Sequence, residues 1–316
     1  MKAMINKTHI EGILYEHDLE LKTSGPNSKN PGTEFISGTV SIATDDAGVN
    51  VVPVHFTYVT ATTAKGNANA TFTTLKNIID GVIGTQMKDG KDKAGKLRID
   101  SALGLNEFYS DRNGKEELVS AKRNEGGFVH TCDVLNEDEK TRNTFECDML
   151  ITNCRRSEAD PDKNIAEKVI VKGAIFDFRK SLLPIEFTAL NPNAMNYFED
   201  LGASQSNPVF TKVWGRQVSE TVVKKTVEES AFGEASVRTF EKKVREWIVS
   251  GCSREGYNYG DEEVLTYDDI AKAIANREVN LAEMKKRSEE YKASAQTAAP
   301  IVTPAAPKAK AGGFNF

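Results

Sequence analysis

Apolar and polar residues alternate along this chain in short runs, and the runs fall in an order that occurs twice. Val51 to Val59 reads VVPVHFTYV, the period-two pattern of a half-buried strand. Leu182 to Leu190 reads LLPIEFTAL, again two aliphatics, a proline, an aliphatic, a polar residue, phenylalanine and threonine. The segments before them also match. FISGTVSIAT (Phe35 to Thr44) lies over IVKGAIFDFR (Ile170 to Arg179), with Gly38 over Gly173 and Val40 over Ile175. Upstream of these, EGILYEHDLEL and CDMLITNCRR supply one more strand each. After each VVPVHFT-type strand the period changes to that of a helix. ATFTTLKNIIDG sets Phe72, Leu75, Ile78 and Ile79 on one face, and NPNAMNYFEDLG opens on Asn-Pro and ends at Gly202, a C-cap glycine.

Two further strands follow in each half. The first half offers KLRIDSALGLNEFYS, then FVHTC and FECDMLIT, the last of which can close one unit while opening the next. The second half offers VFTKVWGRQVSETVV and VREWIVSG, and Glu229 to Lys243 reads either as a helix between them or as part of a long hairpin.

Strand, strand, strand, short helix, strand, strand is the order of the OB-fold, a five-stranded Greek-key barrel. In that fold a glycine inside the second strand lets the chain bend at the barrel corner, the place that Gly38 and Gly173 occupy. Pro53 and Pro184, which donate nothing to a ladder, are expected at strand starts or edges. The fold class is therefore mainly β with α: two OB-fold-like five-stranded barrels, a C-terminal helix and a disordered tail. The first barrel with its basic loop is expected over 8–150, the second over 151–260, the helix over 261–293 and the tail over 294–316. The helix pattern of Asp268 to Ala293 sets Ile270, Ile274, Leu281 and Met284 on its apolar side, acids first and bases last. From Ser294 the chain turns to Ala, Pro, Thr and Lys, which cannot bury a core.

Composition narrows the function. The 316 residues are 39% hydrophobic and 28% charged, as in a soluble globular protein, and no apolar run nears the ~20 residues of a membrane span. The N-terminus MKAMINKTHIEG lacks the apolar core of a signal peptide, so a cytoplasmic location is expected, that of the host cell if a phage encodes the chain. The four cysteines and four histidines show no metal-ligand spacing, and no phosphate loop, GxSxG elbow or zincin helix occurs. We therefore expect no enzyme, no cofactor and no metal.

A net charge of −5 speaks against coating nucleic acid by bulk charge, but a local basic groove decides binding. Between Thr60 and Arg98 seven basic residues face three acids. In a strand, residues of one parity share a face. That rule groups Phe210, Lys212, Trp214 and Arg216, and separately Lys172, Phe176, Phe178 and Lys180. Cations for phosphates and rings for bases on one face suit single-stranded nucleic acid. In the first barrel Lys96 and Arg98 share a parity, and Lys88, Lys91 and Lys93 stand in a Gly-containing loop, expected to be flexible, that could close over a strand. Glu186, where the first copy has His55, puts an acid on the second barrel, so the barrels need not bind alike. The terminal GGFNF, with Phe314 and Phe316, resembles the partner-recruiting tips of bacterial single-stranded-DNA-binding proteins, although those tips are acidic and this one follows KAKAGG.

LGLNEFYS, KVIVKGAIFDF, NPVFTKVWG, ESAFGEA and AEMKKRSEEY together resemble a family encoded by bacteriophages and mobile elements of Gram-positive bacteria, over residues 10 to 293. The resemblance implies a replication or recombination accessory that handles single-stranded DNA, with no catalytic motif to carry over. The expected partners are single-stranded DNA and, through the tail, replication or recombination enzymes; a homo-oligomer and strand annealing are both compatible. The alternative is a structural or interaction protein, a virion component or host-defence modulator, that self-assembles through the 268–293 helix.

Overall fold

The computed structural model describes residues 4–26, 28–112, 115–159, 166–228, 236–253 and 265–297; between 220 and 244 it describes the backbone alone. Eleven strands form one continuous sheet that closes on itself twice. The first ring uses β1 (Asn6–His17), β3 (Glu34–Ala43), β4 (Val51–Thr60), β5 (Lys96–Arg112) and β6 (Lys115–Thr131), with the short edge strand β2 (Glu20–Thr23) beside β3. β1 pairs with β3, β3 with β4, β4 in parallel with β6, β6 with β5, and β5 again with β1. The second ring repeats this with β7 (Asn143–Ser157), β8 (Lys168–Phe176), β9 (Leu182–Ala189), β10 (Val209–Glu228) and β11 (Ser236–Cys252). There β7 pairs with β8, β8 with β9, β9 in parallel with β11, β11 with β10, and β10 with β7. Both rings have the order 1-2-3-5-4-1 with a parallel contact between strands three and five. The architecture is two OB barrels.

The signals that specify each ring act where the sequence places them. At Gly38 the backbone has φ of 132°, and a Cβ there would lie 2.6 Å from the carbonyl oxygen of Asp18. At Gly173 a Cβ would lie 2.1 Å from the carbonyl oxygen of Leu150. The chain just leaving β1 in the first ring, and β7 itself in the second, crosses too close for a side chain, and a register shift marks each bend. Pro53 and Pro184 are each the third residue of their strand, paired on one side with Ser41 and Ala174, while the ladder to the other neighbour begins only at Val54 and Thr188.

Helix α1 (Ala70–Ile79) is capped by Asn69, whose side chain accepts from the Thr71 amide, and α3 (Pro192–Asp200) by Asn191, with Pro192 in its first turn and Gly202 at φ 62° just past its end. Each seals a barrel: Phe72, Leu75 and Ile78 join the first core, Met195 and Phe198 the second. The loop holding Lys88, Lys91 and Lys93 is not an open flap. It folds into α2 (Gln86–Asp89), capped by Thr85, and a 3-10 turn over Lys91–Lys93. The segment left open at Glu229–Lys243 is hairpin wherever it is described, with β10 and β11 in register to Glu228 and Ser236. All four cysteines are free thiols, and burial raises Cys154 to about 11.

Two joints hold the barrels together. The first halves of β1 and β7 pair antiparallel, from Asn6↔Cys147 to Ile10↔Asn143, so β7 spans the expected 150/151 boundary and carries the sheet across. The second joint is helix α4 (Tyr267–Thr297). Its Ile270 and Ala273, with Leu265, bury against Leu150, Phe176, Leu182 and Phe210 of the second barrel. Its Arg277 reaches back to Glu107 of β5 at 2.7 Å, both side chains largely buried. The helix is thus engaged by its own chain along one face. Among the described residues no helix is long and apolar enough to cross a membrane.

Candidate nucleic-acid interface

The pairing of β1 with β7 creates a surface that neither barrel has alone. On the outer side, Trp214 of β10 stands opposite Glu146 of β7, and Glu146 opposite Lys7 of β1. One row along, Thr144, His9, Asp100 and Phe128 follow one another across β7, β1, β5 and β6. Four strand steps separate Trp214 from Phe128, about 19 Å at the usual spacing. Beside this seam lies a groove of about 990 Å³ that includes Trp214, Arg216, Lys7, His9 and Lys140.

The groove has the chemistry of a strand-binding surface. Trp214 is 41% exposed, and its indole packs against Gly251 of β11, where a Cβ would sit 2.6 Å from ring atoms. The indole therefore rests on the Gly251 backbone and leaves part of the ring open to a second planar group. Lys7 and Lys212 converge on Glu146 at 2.9 and 3.0 Å, and their hydrogen bonds hold its carboxyl below the usual carboxylate range. His9 bridges Asp100 (3.1 Å) and Glu11 (3.3 Å), and Arg98 approaches Asp100 at 3.5 Å. Lys7, Lys140 and Arg216 outnumber Asp100 and Glu146 along the lining. Phe128, 69% exposed, continues the row on the first barrel.

The structure divides the residues that parity grouped. Lys212, Trp214 and Arg216 do share the groove face. Phe210, of the same parity, does not: α4 covers it, and it meets Phe176 edge to face at 6.4 Å, each ring 1% exposed. Phe176 and Phe210 are core residues, because the returning helix buries the end of the sheet that carries them. Lys172 is paired with Glu186 at 2.6 Å on the β8–β9 face, opposite Asn153 of β7 and beyond the stretch that β10 pairs, so barrel curvature parts it from Trp214. Phe178 and Lys180 lie in the β8–β9 turn, where the Arg179 guanidinium stacks 5.2 Å from a Phe178 ring that is 89% exposed. In the first barrel, Lys91 donates to the Asp46 carbonyl, Lys96 to the Asp133 carbonyl, and Lys88 stands beside His17, with Lys93 exposed. Arg98 borders the groove through Asp100. Phe314 and Phe316 lie outside the described residues.

Lys7, His9, Lys140, Phe128 and Gly251 were not singled out by parity. Phe128 and His130 do alternate outward in FVHTC, and Lys7 and His9 alternate with buried Thr8 and Ile10. What the sequence lacks is any sign that β1 and β7 pair.

Closed 1-2-3-5-4-1 rings, joined through their first strands and bearing an aromatic and cationic groove at the joint, define a tandem OB-fold protein. The chain belongs to the YorF family, whose family model matches residues 5–287. No curated protein is matched in sequence. Among solved structures, the wild-type single-stranded DNA binding protein from Thermus aquaticus is 11% identical with a TM-score of 0.43, covering 80% of this chain and 93% of that one. A deletion mutant of the same Thermus aquaticus protein is 10% identical with a TM-score of 0.45, covering 83% and 100%. A likeness this distant carries nothing for function.

Proposed function

We propose that the protein binds single-stranded DNA with little sequence preference, as a non-enzymatic accessory of phage DNA replication or recombination. The observation that carries the binding is Trp214, exposed and packed on Gly251 inside a groove whose rim is cationic. A ring packed on backbone and partly open stacks on any base, and flanking ammonium and guanidinium groups meet the phosphates. The phage setting is supported by the sequence resemblance alone. The alternative of a scaffold that self-assembles through the helix gains from the burial of Phe176 and Phe210, but one face of α4 is already occupied within the chain.

The deciding measurement is fluorescence anisotropy of a labelled oligo-dT of about 30 nucleotides at low and moderate salt. Sub-micromolar binding that weakens with salt is expected. Absence of binding at low salt would overturn the proposal.

A further inference from the structure

A second hollow opens between the barrels, away from the groove. It has a volume of about 400 Å³, within the ~300–1,000 Å³ usual for small-molecule sites. β6 of the first barrel supplies Lys122, Arg123 and Asn124; β10 and β11 of the second supply Gln217, Arg245 and Trp247.

The amides there are oriented by their neighbours. Asn124 Nδ2 donates to Gln217 Oε1 at 2.8 Å and to the Pro53 carbonyl at 3.0 Å, and Trp247 Nε1 donates to the same Gln217 Oε1 at 3.2 Å. These bonds fix which end of each amide is which. They leave Asn124 Oδ1 and Gln217 Nε2 without a partner among the described residues, each atom closed to solvent behind the wall of the hollow in a residue only 3% exposed. A buried polar atom without a partner costs free energy, so such atoms call for an explanation. One acceptor and one donor, on amides already bonded to each other, match the mixed edge of a nucleobase. The charged side chains that line the hollow are basic, with Glu125, Glu186 and Glu246 behind them. The Lys122 ammonium lies 5.3 Å from the Trp247 ring centroid, Arg123 is held by Glu125 at 2.6 Å, and Arg245 stands exposed at the rim.

We propose that this hollow is a single-nucleotide site, in which the Asn124 and Gln217 amides turn toward the ligand to bind the edge of one base and Lys122 and Arg245 take its phosphate. The chemistry is the same whether the nucleotide is free or one unit of a bound strand; the second source rests on the strand-binding reading above.

The chain's two tryptophans separate the two sites. In a Trp214→Phe protein all tryptophan emission comes from Trp247 in the hollow; in a Trp247→Phe protein it comes from Trp214 in the groove. The Trp214→Phe protein is titrated with dAMP, dTMP, inorganic phosphate and oligo-dT. A saturable change with a mononucleotide, weakened about tenfold or more by Gln217→Leu, is expected and identifies a free nucleotide as ligand. A change with oligo-dT alone supports the site as a subsite for the strand. An equal change with inorganic phosphate would overturn it in favour of a plain anion site. Silence of Trp247 to every probe, while Trp214 in the Trp247→Phe protein responds to oligo-dT, would overturn the hollow and leave the groove standing. Silence of both reporters would overturn both readings. If Gln217→Leu fails to fold, Arg245→Ala at the exposed rim replaces it, and unchanged mononucleotide affinity there would count against the proposal.

Discussion

The two barrels are built alike inside and differ outside. In VVPVHF and LLPIEF the final phenylalanines, Phe56 and Phe187, are 2% and 0% exposed and fill the same place in each core. One residue earlier the copies part. His55 lines the cationic hollow between the barrels, whereas Glu186 forms an ion pair with Lys172 in the open. Ring closure constrains every inward side chain through packing, while outward positions answer only to what they touch. A duplicated fold therefore does not imply a duplicated site, and Trp214 on Gly251 belongs to the second barrel alone.

The largest effects should come from breaking what the copies share. Phe56→Ala and Phe187→Ala are each expected to cost about 3–5 kcal/mol, as for other large core aromatics. Phe187 should sit at the upper end, since its ring stacks on Phe145 at 5.0 Å and leans on Trp247 at 5.9 Å, contacts worth ~0.5–1.5 kcal/mol each beyond area. Urea unfolding measures both. Because β1 and β7 are hydrogen-bonded across the seam, both variants should unfold in one transition at lower urea. Two separated transitions would mean that the barrels are energetically independent.

Next in size is the difference between the exposed rings. Trp214→Ala should lose about 1–3 kcal/mol of affinity for oligo-dT, the value of one stacked base. Phe128→Ala, on the first barrel, should lose less, because that ring is 69% exposed against 41% for Trp214 and is a smaller stacking surface. Gly251→Ala should fall between them, displacing the indole without removing it. Equal losses for Trp214→Ala and Phe128→Ala, read by anisotropy, would show that the barrels stack alike and would break the comparison.

That ranking was only half legible beforehand. The strand order, the bends at Gly38 and Gly173, and the caps at Asn69 and Asn191 are local signals, and local signals suffice for each barrel. Whether an outward parity faces solvent is a tertiary matter. Phe210 and Trp214 share a parity four residues apart, yet α4 returns from more than 50 residues downstream to bury one and leave the other open. The groove depends on β1 meeting β7, strands more than 130 residues apart whose edges carry no pairing code in their side chains. Lys88, Lys91 and Lys93 read as a flexible loop because Gly90 interrupts them, but the Thr85 side chain accepts from the Lys88 amide and nucleates a turn of helix.

Charge gives a smaller and separable effect. If Lys7 and Lys140 contact phosphates, Lys7→Gln and Lys140→Gln should each reduce the slope of log affinity against log salt by about one. Lys172→Gln should leave it unchanged, since Lys172 faces Glu186 away from the groove. A slope that responds to Lys172 and not to Lys7 would move the strand path onto the β8–β9 face.

The smallest expected effect concerns pH, and it too should belong to one barrel. All four histidines precede the second barrel, and burial lowers the pKa of two of them, His17 and His55. A histidine whose pKa is lower folded than unfolded favours the fold when neutral. Its contribution is complete above the unfolded value of about 6.5 and is lost as pH falls through the folded value. Thermal unfolding between pH 8 and 5 should therefore show a melting temperature that declines below about pH 6.5, and the decline should be shallower in a His17→Gln, His55→Gln protein. Both side chains are partly open to solvent, so the change should be modest. An undiminished decline in the double variant would exclude these two histidines as its origin; Glu146, whose pKa Lys7 and Lys212 lower, loses its contribution only at more acid pH than this range.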